Sequence, residues 1–184
     1  MKLSRLPLQL IMAAFAFDIE TTGLDPSTGS VTCVCVCGED LERCWLPGKG
    51  EALEEFFEMM DRAPFLVAFN GCRFDLNYLQ MCYGLSAGRV GDWVLKLRDA
   101  YEASRLAFGR GFSLNQFLDA NGLGAKTSTG CEAVAMAREG RWDELREYCM
   151  ADARLAWQVT KPGVFLLPFL GVRLDIVKWD LASA

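Results

Sequence analysis

The run from Leu8 to Phe17 is apolar almost throughout and stops at Asp18. Such a run predicts a central strand buried on both faces. Gly23 and Asp25-Pro26-Ser27 break it. Val31 to Cys37 alternates, Gly38-Glu39-Asp40 turns the chain, and Leu41 to Leu46 reads as the hairpin partner, closed by Gly48 to Gly50. From Glu51 to Arg62 the apolar positions Leu53, Phe56, Phe57 and Met60 form a helical stripe. Phe65 to Phe69 is a second buried strand, and it delivers Asn70-Gly71.

Helical spacing returns from Phe74 to Tyr83 through Leu76, Leu79 and Cys82. Arg89 to Leu97 reads as a third strand of a parallel set, and Gly109 to Gly111 as a loop. Ser113 is placed as the N-cap of a helix over Leu114 to Asn121, which Gly122 ends. Cys131 to Arg138 makes a short helix. Arg141 opens a longer one through Tyr148 and Asp152 to about Val159, stopped by Lys161-Pro162-Gly163. The apolar, aromatic tail from Val164 to Trp179 is expected to pack back on the domain, as helix or as strand. Three antiparallel strands followed by alternating helix and strand define an α/β fold, a mixed central sheet covered by helices. No repeat or linker divides the chain. It is expected to form one domain over 1–184, with a core of about 10–160 and an extension over 161–184.

With 184 residues, 52% apolar and 23% charged, the composition is globular. A net charge of −5 argues against a passive, high-affinity nucleic-acid binder. It is neutral about an enzyme that grips a few phosphates, because metal-site carboxylates inflate the negative count. Eight cysteines without paired CxxC spacing point to a reducing, intracellular compartment, cytoplasm or nucleus. Cys33, Cys35 and Cys37 fall on one strand face, where free thiols act as small hydrophobes. A zinc cluster is the sharper alternative, but neighbouring strand thiols rarely converge tetrahedrally. The absence of histidine removes Ser-His and Cys-His catalysis and leaves carboxylate and tyrosine chemistry. The first 16 residues have the outline of a secretory signal ending in Ala14-Phe15-Ala16. Cleavage there would strip away the strand that carries Asp18, so a buried first strand is the expectation. No run reaches the ~18 apolar residues of a membrane span, and no membrane partner is expected.

Asp18 and Glu20 are spaced i, i+2 at the end of the first strand, so they share a face while Ile19 points into the opposite layer. Paired carboxylates at a buried strand end repel each other and cost desolvation energy. With no adjacent Lys or Arg, they call for a divalent cation. Asp75 opens a helix just after a strand, where the helix dipole favours an anion. Tyr148 and Asp152 lie i, i+4 on one helical face. If these segments converge, Asp18, Glu20, Asp75 and Asp152 make a two-cation site. Hard oxygen donors favour Mg²⁺ or Mn²⁺ over zinc. Two such ions ~4 Å apart suit phosphodiester hydrolysis.

Phe17-Asp18-Ile19-Glu20-Thr21-Thr22-Gly23, Asn70-Gly71-Cys72-Arg73-Phe74-Asp75 and Tyr148-x-x-x-Asp152, in that order, resemble exonuclease motifs I, II and III of the DEDDy 3′→5′ exonucleases. The likeness is greatest to the proofreading domain of family B DNA polymerases and runs from about Phe15 to Val159. It implies a ribonuclease H-like fold. By that resemblance Asp18 would bridge two metals, Glu20 and Asp152 would complete the first, and Asp75 would serve the second. Tyr148 would orient the attacking water. Thr21, Thr22 and Leu24 align with the loop that holds the terminal nucleotide. Asn70 and Phe74 align with residues lining the strand's path. The histidine-dependent branch of the family is excluded.

Each position also has a plainer role. Asp18 and Glu20 could be a solvated strand end, Asp75 a helix cap, and Asn70-Gly71 a turn. Tyr148 could sit in the core with its hydroxyl on backbone, and Thr21 and Thr22 could cap a turn. Lys126, in a Gly-rich loop, either touches a phosphate or is solvated. Asp92 and Asp99 are placed at the surface, and of the tryptophans only Trp45 and Trp142 have exposed contexts. The expected activity is metal-dependent 3′→5′ hydrolysis of single-stranded DNA ends to nucleoside monophosphates. The alternatives are RNA 3′-end trimming like that of ribonuclease D, and a catalytically silent binding module. A replication or repair protein is an expected partner class that the sequence does not identify.

Overall fold

A computed structural model describes residues 14–124, 126 and 130–160, and the backbone of 164–166 and 173–175. Strand β1 (Phe15–Thr21) is the middle of a five-stranded sheet with order β3-β2-β1-β4-β5. Strand β2 (Val31–Gly38) lies antiparallel to it on one side, with β3 (Glu42–Trp45) antiparallel beyond. On the other side β4 (Leu66–Ala68) and then β5 (Leu97–Asp99) run parallel to it. This is the mixed sheet that the strand pattern predicts. Its helices are α1 (Glu54–Arg62), α2 (Asp75–Tyr83), α3 (Ala87–Leu95), α4 (Ala100–Phe108), α5 (Leu114–Ala120), α6 (Gly130–Glu139) and α7 (Trp142–Thr160). No helix among the described residues is long and apolar enough to cross a membrane.

The alternation of β1 assigns its two faces. Phe15, Phe17 and Ile19 enter a core shared with Phe56 and Met60 of α1, Leu76 and Leu79 of α2 and Trp93 of α3. The Phe17 and Phe56 rings meet at 6.1 Å, and Trp45 closes on Phe56 at 5.7 Å. Burying each such ring contributes about 1.5–3 kcal/mol. The other face of β1 carries Ala16, Asp18 and Glu20. There Ala16 and Val67 pack with Ala156 of α7, and these small side chains let a long helix lie close to the sheet. Helix α7 thus covers the face that bears the carboxylates.

Three expectations are corrected. The segment Arg89 to Leu97 is not a strand: Ala87–Leu95 is helix, and the strand is only Leu97–Asp99. Ser86 caps the helix by accepting from Arg89 N at 3.2 Å. Asp61 then takes both Arg89 and, at 2.8 Å, Trp93 Nε1, a pair that a helix puts on one side. Trp45 is buried rather than exposed, held in the aromatic cluster of α1. Asp99 is buried too, for a reason given below. Helix α4 had no counterpart in the sequence pattern. At Ser113 the cap is as read: its hydroxyl accepts from Gln116 N, and the Gln116 side chain accepts from Ser113 N. In the tail, β6 (Val164–Leu166) pairs antiparallel with β7 (Arg173–Asp175), and the rest of that segment lies outside the described residues, as does the run from Leu8 to Ala13.

Candidate active site

Asp18 and Glu20 leave β1 on the α7 face, opposite Cys35 and Cys33 of β2. A bulge follows directly, between Glu20 and Thr21, where pairing with β2 slips by one residue. Bulges of this kind end a ladder and re-aim side chains next to functional sites. The thiol of Cys149 on α7 donates to the Asp18 carbonyl at 3.3 Å, which fixes helix to strand at this point. On the same helix, one residue before Cys149 and three after, stand Tyr148 and Asp152, both buried. Carboxylate oxygens of Asp18 and Glu20 and the Cys149 sulfur all lie within 4.8 Å of one another.

Asp75 arrives from the other sheet layer. It is the first residue of α2, and its Oδ1 accepts from Ile19 N at 3.1 Å. Phe74 is the N-cap of α2 and no side chain caps it; the Asp75 carboxylate instead takes the β1 amide between Asp18 and Glu20. The turn that delivers it is tight. Asn70 sits at φ 64°, left-handed, and a side chain at Gly71 would collide with the Cβ of Ala68. Asp99, at the end of β5, holds this turn. Its Oδ1 accepts from Asn70 N at 2.9 Å and its Oδ2 from Cys72 N at 3.0 Å. Three backbone donors, with Glu102 N at 3.2 Å as the third, explain why this aspartate is inside.

The electrostatics of the four acids reflect their shared burial. Burial raises Asp18 well above the usual carboxylate range, and Glu20, Asp152 and Asp75 add to the effect. Burial and then Asp152 push Glu20 up to about 9. Burial and Asp99 push Asp75 up to about 7, against the pull of the Ile19 N–H. Burial also raises Asp152, although Lys126 opposes it. The Lys126 ammonium pairs with Asp152 Oδ2 and lies 4.7 Å from the centre of the Tyr148 ring. Burial alone would lower this ammonium, but Asp152 overrides it and holds Lys126 above the usual lysine value. One lysine against four acids leaves the centre short of positive charge.

Two buried polar atoms here find no partner among the described residues, Asp18 Oδ2 and Tyr148 Oη. A buried carboxylate oxygen left unpaired is costly in a finished structure. Hard oxygen donors, a deficit of positive charge and this orphaned atom fit a bound divalent cation. Asp18, Glu20, Asp75 and Asp152 would hold it. Alongside lies a cleft of about 410 Å³, lined by Asp18, Asn70, Asn115, Lys126 and Asp152 among others. A second, of about 550 Å³, shares Lys126 and Asp152 and adds Tyr148, Arg154 and Gln158.

The residues aligned with the nucleotide-binding loop have mixed surroundings. Thr21 is buried and its hydroxyl donates to Gly23 O at 2.6 Å; Thr22 Oγ1 accepts from Ser30 N at 2.9 Å. Tyr78 Oη also donates to Gly23 O, at 2.6 Å. On the loop these bonds hold, Leu24 is 86% exposed, an apolar side chain with nothing to bury it. Asn70 lines the first cleft, whereas Phe74 packs its ring at a tilt 5.2 Å from that of Tyr78. Sequence reasoning passed over Cys149 and Tyr78 and misplaced Asp99. Of these, only Asp99 left a signal, as the carboxylate ending a strand of the parallel set.

A mixed sheet with the acidic cluster on its central strand is an RNase H-like arrangement. A family model described as RNase_H superfamily matches residues 15–116, more than half of the chain, and the chain belongs to that superfamily. Among solved structures, the family B DNA polymerase of the hyperthermophilic archaeon Pyrobaculum calidifontis is similar, with TM-score 0.60 and 16% identity. The match covers 88% of this chain and 25% of the polymerase, so this chain spans about a quarter of that protein's length. A structure described as the apo form of the nuclease is similar at TM-score 0.58 and 17% identity, covering 83% of this chain and 73% of that one. No curated protein matches in sequence.

Proposed function

We propose that this protein is a metal-dependent 3′→5′ exonuclease that releases nucleoside monophosphates from single-stranded DNA ends. The observation that carries the reading is the meeting of Asp18, Glu20, Asp75 and Asp152 around an unpaired carboxylate oxygen, with the free Tyr148 hydroxyl beside them. The similarity in fold to a family B polymerase and to a nuclease supports it.

Divalent cations bound there would supply Lewis-acid polarisation and lower the pKa of water. The remaining work belongs to the chain. Tyr148, whose hydroxyl faces the Lys126 ammonium without a close hydrogen bond, would position the attacking water. Lys126, already in contact with Asp152, would offset charge on the scissile phosphate. Asn70, held by Asp99, would guide the strand along the cleft. Leu24 would lodge against the terminal base.

A 5′-labelled single strand incubated with Mg²⁺ or Mn²⁺ tests the reading. A ladder shortening from the 3′ end, lost with chelator and in the Asp18→Ala protein, is expected. Undiminished hydrolysis by Asp18→Ala would overturn it. Matched DNA and RNA strands separate DNA degradation from RNA trimming. A protein that neither binds Mn²⁺ nor cuts either strand is the silent module.

A further inference from the structure

Behind the acidic centre, four sulfurs from three elements come together. Cys33 and Cys35 project from β2, Cys44 from β3 and Cys149 from α7. Cys33 Sγ lies 3.8 Å from Cys35 Sγ and 3.5 Å from Cys44 Sγ. Cys33, Cys35 and Cys44 sulfurs all lie within 4.8 Å of one another, while Cys149 stands beside Cys33 and Cys35 with its thiol turned to the Asp18 carbonyl at 3.3 Å. Cys37, the third thiol of the strand run, turns to its own neighbour and donates to Gly38 O at 3.9 Å. Two neighbouring strand thiols are joined here by a sulfur from the adjacent strand and one from a helix, directions that a single strand cannot supply.

The spacing is informative. Zinc–sulfur bonds of about 2.3 Å in a tetrahedron set sulfur–sulfur edges of about 3.8 Å. A disulfide would need about 2.05 Å. Arg146, also on α7, brings its guanidinium against the Cys44 thiol, and its buried Nε has no other hydrogen-bond partner among the described residues. A guanidinium there suits an anionic cluster and is poorly served by neutral S–H groups. Cys33, Cys35 and Cys149 are buried, while Cys44 is half-buried and leaves a way in from solvent.

We propose that Cys33, Cys35 and Cys44 form the thiolate face of a second cation site for a thiophilic divalent ion of the zinc class, completed as an all-sulfur tetrahedron when Cys149 releases its hydrogen bond to the Asp18 carbonyl. Each ligating thiol gives up its proton to solvent as the sulfur–metal bond forms. The site ties α7 to β2 and β3 one strand away from Asp18 and Glu20, so it braces the helix that presents Tyr148 and Asp152. It differs from the acidic centre in ligand chemistry: hard ions such as Mg²⁺ do not compete for thiolates. Its occupancy does not rest on the nuclease reading.

The full chain, purified under reducing conditions without chelator, is analysed for metal and then reconstituted with Co²⁺ without oxygen. The expected result is one equivalent of zinc as purified. Co²⁺ should give thiolate-to-cobalt charge-transfer absorption that persists in Asp18→Asn and in the exposed-thiol control Cys131→Ser. Cys44→Ala, checked for fold by circular dichroism, should lose that absorption. Absence of the charge-transfer band from the wild-type and Asp18→Asn proteins overturns the proposal, whether or not Cys44→Ala folds. So does a Cys33–Cys44 disulfide found by mass spectrometry in protein kept reduced. Metal lost in Asp18→Asn but kept in Cys44→Ala would place the ion at the acidic centre and equally overturn it.

Discussion

The backbone N–H of Ile19 donates to Asp75 Oδ1 at 3.1 Å, joining residues 56 apart in the chain. Parallel pairing of β1 with β4 ends at Ala16, so the Ile19 amide beyond it can receive a carboxylate from α2 while the Ile19 side chain fills the opposite layer from Asp18 and Glu20. The third acid of the centre is thereby fixed to the strand that supplies the first two.

Replacing Asp18 by Asn should abolish hydrolysis while leaving the fold intact. In chelator the variant should be more stable than the parent by about 0.5–2 kcal/mol, because one repelling, desolvated charge is gone. Chemical denaturation with and without Mg²⁺ checks this, and Mg²⁺ should stabilise the parent far more than the variant.

Tyr148→Phe should lower turnover roughly 10²-fold with little change in KM. Thermal stability should hardly move, since the hydroxyl removed makes no close hydrogen bond among the described residues and only faces the Lys126 ammonium. A large loss of stability would show that the phenol is structural instead.

In chelator, stability should fall as pH rises. Glu20 and Asp75 have folded values raised to about 9 and about 7, above those of the unfolded chain. The folded state then binds more protons than the unfolded state, and the slope of unfolding free energy with pH is negative. The stabilisation is complete below the unfolded carboxylate range of about 4 and is lost as pH passes about 7 and then about 9. Melting curves across that window should show the decline in chelator and its suppression by Mn²⁺.

Asp99→Ala strands three backbone donors and should cost about 1–3 kcal/mol or more. Because it loosens Asn70, it should raise KM for single-stranded DNA more than it lowers kcat, as steady-state kinetics will show. Asp99→Asn, which keeps one acceptor oxygen, should recover part of both.

Lys126→Met frees Asp152 from its ammonium. Calorimetric titration should then show tighter Mn²⁺ binding, by several-fold. Turnover should fall, through loss of the cation nearest Asp152. Unchanged Mn²⁺ affinity would show that Lys126 does not compete for that oxygen.

The legible parts of this protein were local. The end of the first strand at Phe15 to Phe17, the stripe Phe56, Met60, the cap at Ser113 and the i, i+4 pair Tyr148, Asp152 each depend on a few neighbouring residues, and each appears as read. Arg89 to Leu97 was misread because a short apolar run does not by itself separate helix from strand. The Ser86 cap and the burial of Val90 and Trp93 on one face go with the helix, and Asp61, 28 residues upstream, takes Arg89.

Strand, helix and cap chemistry, together with four acids, one tyrosine and no histidine, were fixed by the order of residues alone, because side-chain periodicity and backbone preference act over one or two turns. Tertiary structure alone decided that Cys149 would reach Asp18 across 131 residues, that Asp99 would be buried beneath the Asn70 turn, and that Lys126 would meet Asp152. Those contacts form when packing of α7 on the sheet offsets the entropy of closing long loops, and no local pattern records which partners that packing selects.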